Sequence, residues 1–223
     1  GDSVSVSAGN RGLLAYFQPS TSLATLDVGE TLTATVTFKF ADGTGNSTTG
    51  DFRLAFLDSG GNGTATNNGA DVDADPPQLP SAARIVSDNF SLTSGGNTPR
   101  GYSGYVADTT AAGTASTNTL SFWRRDGAPN RSQQWLGPTS SDIAANTAFA
   151  QILPGAGGGA VGPIKNDGSE YVATYSVSLT AANTVKLSYT VTREGETVMS
   201  YAVTETSDTP LTGFDTFMIL NTY

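Results

Sequence analysis

Apolar and polar residues alternate in short runs along most of this chain, the pattern of strands with one face buried and one wet. The clearest run is 31–40, TLTATVTFKF, which places Leu32, Ala34, Val36, Phe38 and Phe40 on one side. Shorter runs at 4–7 and 13–17 precede it, and 52–57 (FRLAFL) follows. Further strands are predicted at 102–106, 119–124, 171–179, 184–192, 197–203 and 214–220. The last four, joined by AAN, REGE and SDTPLTG, read as an antiparallel meander with short hairpin loops. Residues 60–80 (GGNGTATNNGADVDADPPQLP) carry no period, and loops beyond about 12–15 residues are usually functional. Residues 154–163 (PGAGGGAVGP) form a second Gly-rich connection, and one short helical turn is expected at 141–148. About ten strands separated by Gly, Asn and Asp turns predict an all-β fold, a two-sheet antiparallel jelly-roll sandwich. No repeat or shift of composition divides residues 1–223, so one domain is expected, with 1–8 as an exchangeable N-terminal strand.

Composition narrows the chemistry. At 223 residues the chain is long enough to bury a core without disulfides, and it has no cysteine. Histidine is absent too, which removes Ser-His-Asp and Cys-His nucleophiles and the ordinary His/Cys zinc site. A net charge of −9 argues against nucleic acid and anionic membranes as partners. No apolar run reaches the roughly 20 residues of a spanning helix, so membrane insertion is not expected. The chain begins at Gly1 without Met or a signal-peptide pattern, so a processed or trimmed form is expected.

The segments GNRGLLAYF, LDVGETLTATVTFKF, DFRLAFLDSGG, GYSGYVAD and GFDTFMIL together resemble exported bacterial laminin-G-like, or concanavalin A-like, jelly-roll proteins. Many members of that group carry a C-terminal PEP-CTERM sorting signal. The resemblance spans residues 9–221 and lies in the strand pattern rather than in a catalytic motif. It implies export, a β-sandwich and often no assigned activity. No PEP motif, apolar segment or basic tail follows Tyr223, so the signal is expected to be absent or removed.

Asp71, Asp73 and Asp75 alternate within the long loop beside Asn67 and Asn68; they read either as a solvated acidic loop or as carboxylates that converge on calcium, the one cofactor considered. The EF-hand form does not fit, because Pro76 stands at the turn glycine and Ala82 at the bidentate glutamate. Residues 121–135 (SFWRRDGAPNRSQQW) gather Trp123, Arg125, Asp126, Arg131 and Trp135, a set able to stack on sugar rings and grip their polar groups. Alternation puts Phe122 with Arg124 and Trp123 with Arg125, leaving open which pair is core. The glutamates form no paired-carboxylate glycosidase motif. FAQIL at 149–153 resembles the Q-[IV]-H strand of jelly-roll alginate lyases, but Leu153 stands where histidine belongs. Ser3, Val4, Ser5, Val6 and Ser7 alternate strictly and could add a strand to a neighbouring sandwich.

The expected function is therefore a non-catalytic extracellular or cell-surface protein, a self-associating structural subunit of a filament, sheath or matrix. A carbohydrate-binding module for an extracellular polysaccharide is the alternative. A polysaccharide lyase or hydrolase stands third.

Overall fold

The protein is described by a computed structural model covering residues 11–18, 22–39, 50–59, 63–65, 83–85, 102–111, 120–126, 149–152, 164 and 168–221. Among these residues every regular element is a strand. In chain order they are β1 (Arg11–Tyr16), β2 (Ala24–Thr25), β3 (Thr31–Lys39), β4 (Gly50–Asp58), β5 (Gly63–Ala65) and β6 (Ala83–Ile85). Next come β7 (Ser103–Ala111), β8 (Leu120–Asp126), β9 (Phe149–Ile152), β10 (Glu170–Ala181) and β11 (Thr184–Arg193). The chain continues through β12 (Glu196–Thr206), β13 (Gly213–Phe214) and β14 (Thr216–Asn221).

Two antiparallel sheets face each other as a β-sandwich. One has six strands in the order β1-β14-β4-β7-β8-β9, the other four in the order β12-β11-β10-β3. Strict alternation explains the smaller sheet. Tyr171, Ala173, Tyr175 and Val177 of β10 are buried, and the residues between them are half-exposed. Aromatic pairs join the two inner faces: Phe38 on Phe52 at 4.4 Å, Phe56 on Tyr175 at 5.4 Å, and Phe122 on Tyr201 at 5.8 Å. Rings at such separations add attraction to the area they remove from water.

The turns of the small sheet follow from local chemistry. Between β11 and β12, Glu194 and Gly195 both take positive φ (53° and 85°), as a two-residue type I′ hairpin requires. The predicted meander holds for β10, β11 and β12 but not for the run at 214–220. Asp215 breaks that run into β13 and β14, and β14 joins the opposite sheet between β1 and β4. The Asp215 side chain is buried and accepts hydrogen bonds from Ser59 N (2.8 Å), the Ser59 hydroxyl and Thr216 Oγ1 (2.7 Å). That clamp seats the last strand beside β4. The aperiodic loop also contains β5, which pairs with β6 in parallel. The expected helical turn at 141–148 lies outside the described residues.

The outer face of the six-stranded sheet is buried as well. Ala55, Leu57, Tyr102, Val106, Trp123, Met218 and Leu220 form a second apolar cluster there, with Leu14 and Tyr16 packed against it. This explains why FRLAFL in β4 departs from alternation: Phe52 to Leu57 are all buried, three facing the four-stranded sheet and three facing away.

Candidate functional site

The candidate glycan site starts from β8. Its pleat turns Phe122 and Arg124 toward the four-stranded sheet and Trp123 and Arg125 onto the opposite, buried face. Trp123 is 4% exposed, with its indole Nε1 donating to Ser121 Oγ at 3.0 Å, and Arg125 is 0% exposed. Burial pulls the Arg125 guanidinium below its ordinary range. A ring that stacks on a sugar needs one open face, and Trp123 spends both faces on packing. Asp126 closes β8 opposite Ser103. Arg131 and Trp135, the loop carboxylates Asp71, Asp73 and Asp75, and the segment Ser3, Val4, Ser5, Val6 and Ser7 all lie outside the described residues. Among the described residues no three His, Cys, Asp or Glu side chains group in a way that could hold a metal ion. No helix among them is long and apolar enough to cross a membrane. In the lyase-like segment, β9 forms an edge of its sheet and Gln151 is exposed opposite Trp123.

Two ionic groups escaped the sequence reading. Arg53 Nε donates to Asp108 Oδ1 at 2.8 Å, with both side chains at most 1% exposed. Between the sheets, Arg124 Nη1 donates to Glu205 Oε1 (3.2 Å) and Ser207 Oγ (3.0 Å), and Nη2 to the Thr209 carbonyl (2.9 Å). Tyr105 completes this second group by donating its hydroxyl to Glu205 Oε2 at 2.5 Å and accepting from Leu211 N at 3.2 Å. Parity was the available signal, since Glu205 falls in step with the inward Tyr201 and Val203. The second buried face, which takes Arg53 and Asp108, has no such signature in charge pattern alone.

These groups are built to hold rather than to react. Burial raises the Tyr105 hydroxyl far above its usual value, and the hydrogen bond to Glu205 raises it further. A phenol held that firmly protonated is a poor general base near neutral pH. Arg124 meanwhile ties β8 to β12 and to residues 207–209, so the cluster fastens one sheet to the other.

The open polar surface lies elsewhere, on the outer face of the four-stranded sheet. Register sets hydroxyl residues side by side there: Thr35, Thr174, Thr190 and Ser200 form one row, and Thr33, Ser176 and Ser188 the next, which ends on Ala202. Neighbouring hydroxyls also bond across strands, Thr31 to Ser178 at 2.8 Å and Thr190 to Ser200 at 3.3 Å. The rows carry no aromatic side chain. Lys186 stands in the next row beside Ser178, and Lys39 pairs with Glu170 at the sheet's end (3.3 Å). No family model, curated protein or solved structure matches this chain.

Proposed function

We propose that this chain is a non-catalytic extracellular protein with a jelly-roll sandwich of the concanavalin A-like, PEP-CTERM-sorted type. It serves as a structural subunit of a surface filament, sheath or matrix. One observation carries the reading: the four-stranded sheet ends on a long strand, β3 of nine residues, whose outer edge meets no described strand. Edges of that length offer a row of backbone donors and acceptors, which proteins that stay monomeric usually shorten, cover or charge. The described residues with chemical potential support the same reading from the other side. Trp123, Arg125, Arg53 and Asp108 are buried in packing, and Tyr105, Arg124 and Glu205 are bound to one another. The loop carboxylates Asp71, Asp73 and Asp75 would add a calcium ion that stiffens the subunit without taking part in a reaction.

Negative-stain electron microscopy and sedimentation of the purified chain, over a concentration series with and without calcium, test the proposal. Ordered filaments or sheets that grow with concentration are expected. A chain that remains monomeric throughout, and instead binds soluble polysaccharide, would replace this reading with the carbohydrate-binding one.

A further inference from the structure

The edges of the two sheets are not equivalent, and the difference singles out one of them. β9 has four residues and β1 has six. β12 meets β11 through a register shift beside Val191, and it carries Glu196 and the Arg124-bound Glu205. Bulges and charges of this kind discourage a further strand. Among the described residues β3 shows no such protection. Its nine residues pair with β10 without a register shift, it contains neither proline nor glycine, and its one charged side chain is Lys39 at the end.

The core is also unfinished at this edge. On β10, Tyr171, Ala173, Tyr175 and Val177 are each 0% exposed. Their direct partners on β3, Phe38, Val36, Ala34 and Leu32, are only half-buried in the folded chain. A strand laid along β3 would cover these four and extend the hydroxyl rows that Thr31, Thr33, Thr35 and Thr37 begin. Its sequence would need small apolar residues inward, small hydroxyl residues outward and no charge. Three residues of β10 meet that specification on the other side, where Ser176, Val177 and Ser178 face Thr33, Leu32 and Thr31. The chain repeats the same Ser-Val-Ser unit twice over at Ser3, Val4, Ser5, Val6 and Ser7.

We propose that the open edge of β3 accepts residues 3–7 of a second copy of this chain as an added strand. The inference rests on the assembly reading above and names its contact. Leu32, Ala34, Val36 and Phe38 are half-buried, and a strand from a second copy would bury them further. Donor and acceptor are different surfaces, so each copy can give one strand and receive one. The contact is heterologous, and repeating it yields an open filament rather than a closed dimer.

Complementation in the full-length chain tests this. Val4→Lys/Val6→Lys removes the donor and keeps the acceptor, whereas Ala34→Lys points a charge into the acceptor and keeps the donor. Each variant alone should sediment as a monomer at tenfold the concentration at which the wild type assembles, with circular dichroism confirming the fold. Mixed in equal amounts they should form a dimer and stop there. The peptide GDSVSVSAG in excess should shorten wild-type assemblies, while GDSKSKSAG should not. Wild-type assembly that ignores both variants and the peptide would overturn strand donation while leaving self-association standing. A wild type that stays monomeric would overturn both readings. A mixture of variants that stays monomeric beside an assembling wild type would overturn strand donation alone.

Discussion

Alkaline pH should unfold this sandwich through its buried tyrosines. Burial raises the hydroxyls of Tyr105, Tyr175 and Tyr189 well above the ordinary value of 10.0, with Glu205 reinforcing the effect at Tyr105. The folded state therefore keeps three protons that the unfolded chain gives up once pH passes 10. A group protonated only in the folded state removes about 1.4 kcal/mol of stability per pH unit. Stability contributed by these groups is thus fully present below pH 10 and is lost above it, at about 4 kcal/mol per unit for the three together. A domain stable by about 5–15 kcal/mol should then unfold within a few units above pH 10. Denaturant titrations at successive pH values read the slope directly, and absorbance at 295 nm reads tyrosinate. Tyr189→Phe should make the slope shallower by about 1.4 kcal/mol per unit. Tyr175→Phe should do the same and leave stability at neutral pH unchanged or higher, since that hydroxyl is buried with no hydrogen-bond partner among the described residues. If all eight tyrosines ionise near pH 10 while far-ultraviolet dichroism stays native, the reasoning is wrong.

Two further changes probe the packing. Gly104→Ala should lower stability by about 1–3 kcal/mol or more, because the new Cβ would lie 2.1 Å from the Phe56 carbonyl oxygen and 2.9 Å from Leu57 Cα; an unchanged melting temperature would refute the close approach of β7 to β4. Asp108→Asn should cost about 3–5 kcal/mol by removing the carboxylate charge bound to the buried Arg53, whereas Arg53→Met with Asp108→Leu should cost less than that single change. Denaturant midpoints decide the second case, and a double variant as unstable as the single one would contradict it.

Much of the architecture was legible in alternation. β3, β10, β11 and β12 each present one face to the core, so a period of two fixes their sidedness, while their ends fall within three residues of those of the predicted runs. Two features escaped for physical reasons. Alternation assumes that one face is wet, and the six-stranded sheet is buried on both. Trp123 therefore had two equivalent readings, and the structure makes each face of β8 a packed one. The second feature is β14. Local pattern records that GFDTFMIL is extended but not which sheet it joins, a choice made by Asp215 and its long-range partners at Ser59. Of the candidate site, the parity of Phe122 with Arg124 was readable. The bond from Arg124 to Glu205 depends on how the sheets stack, which no local pattern encodes.

The pairing of β1 with β14 brings Arg11 opposite Asn221, joining strands from opposite ends of the chain. β14 is also the only described link between β1 and β4, so the six-stranded sheet cannot close until the final strand is available. Closing so long a loop comes late and slowly in folding. Until β14 has joined, β1 and β4 have no described strand between them, so the two halves of that sheet can move independently. β14 thus acts as the latch that turns two separate pieces of sheet into one.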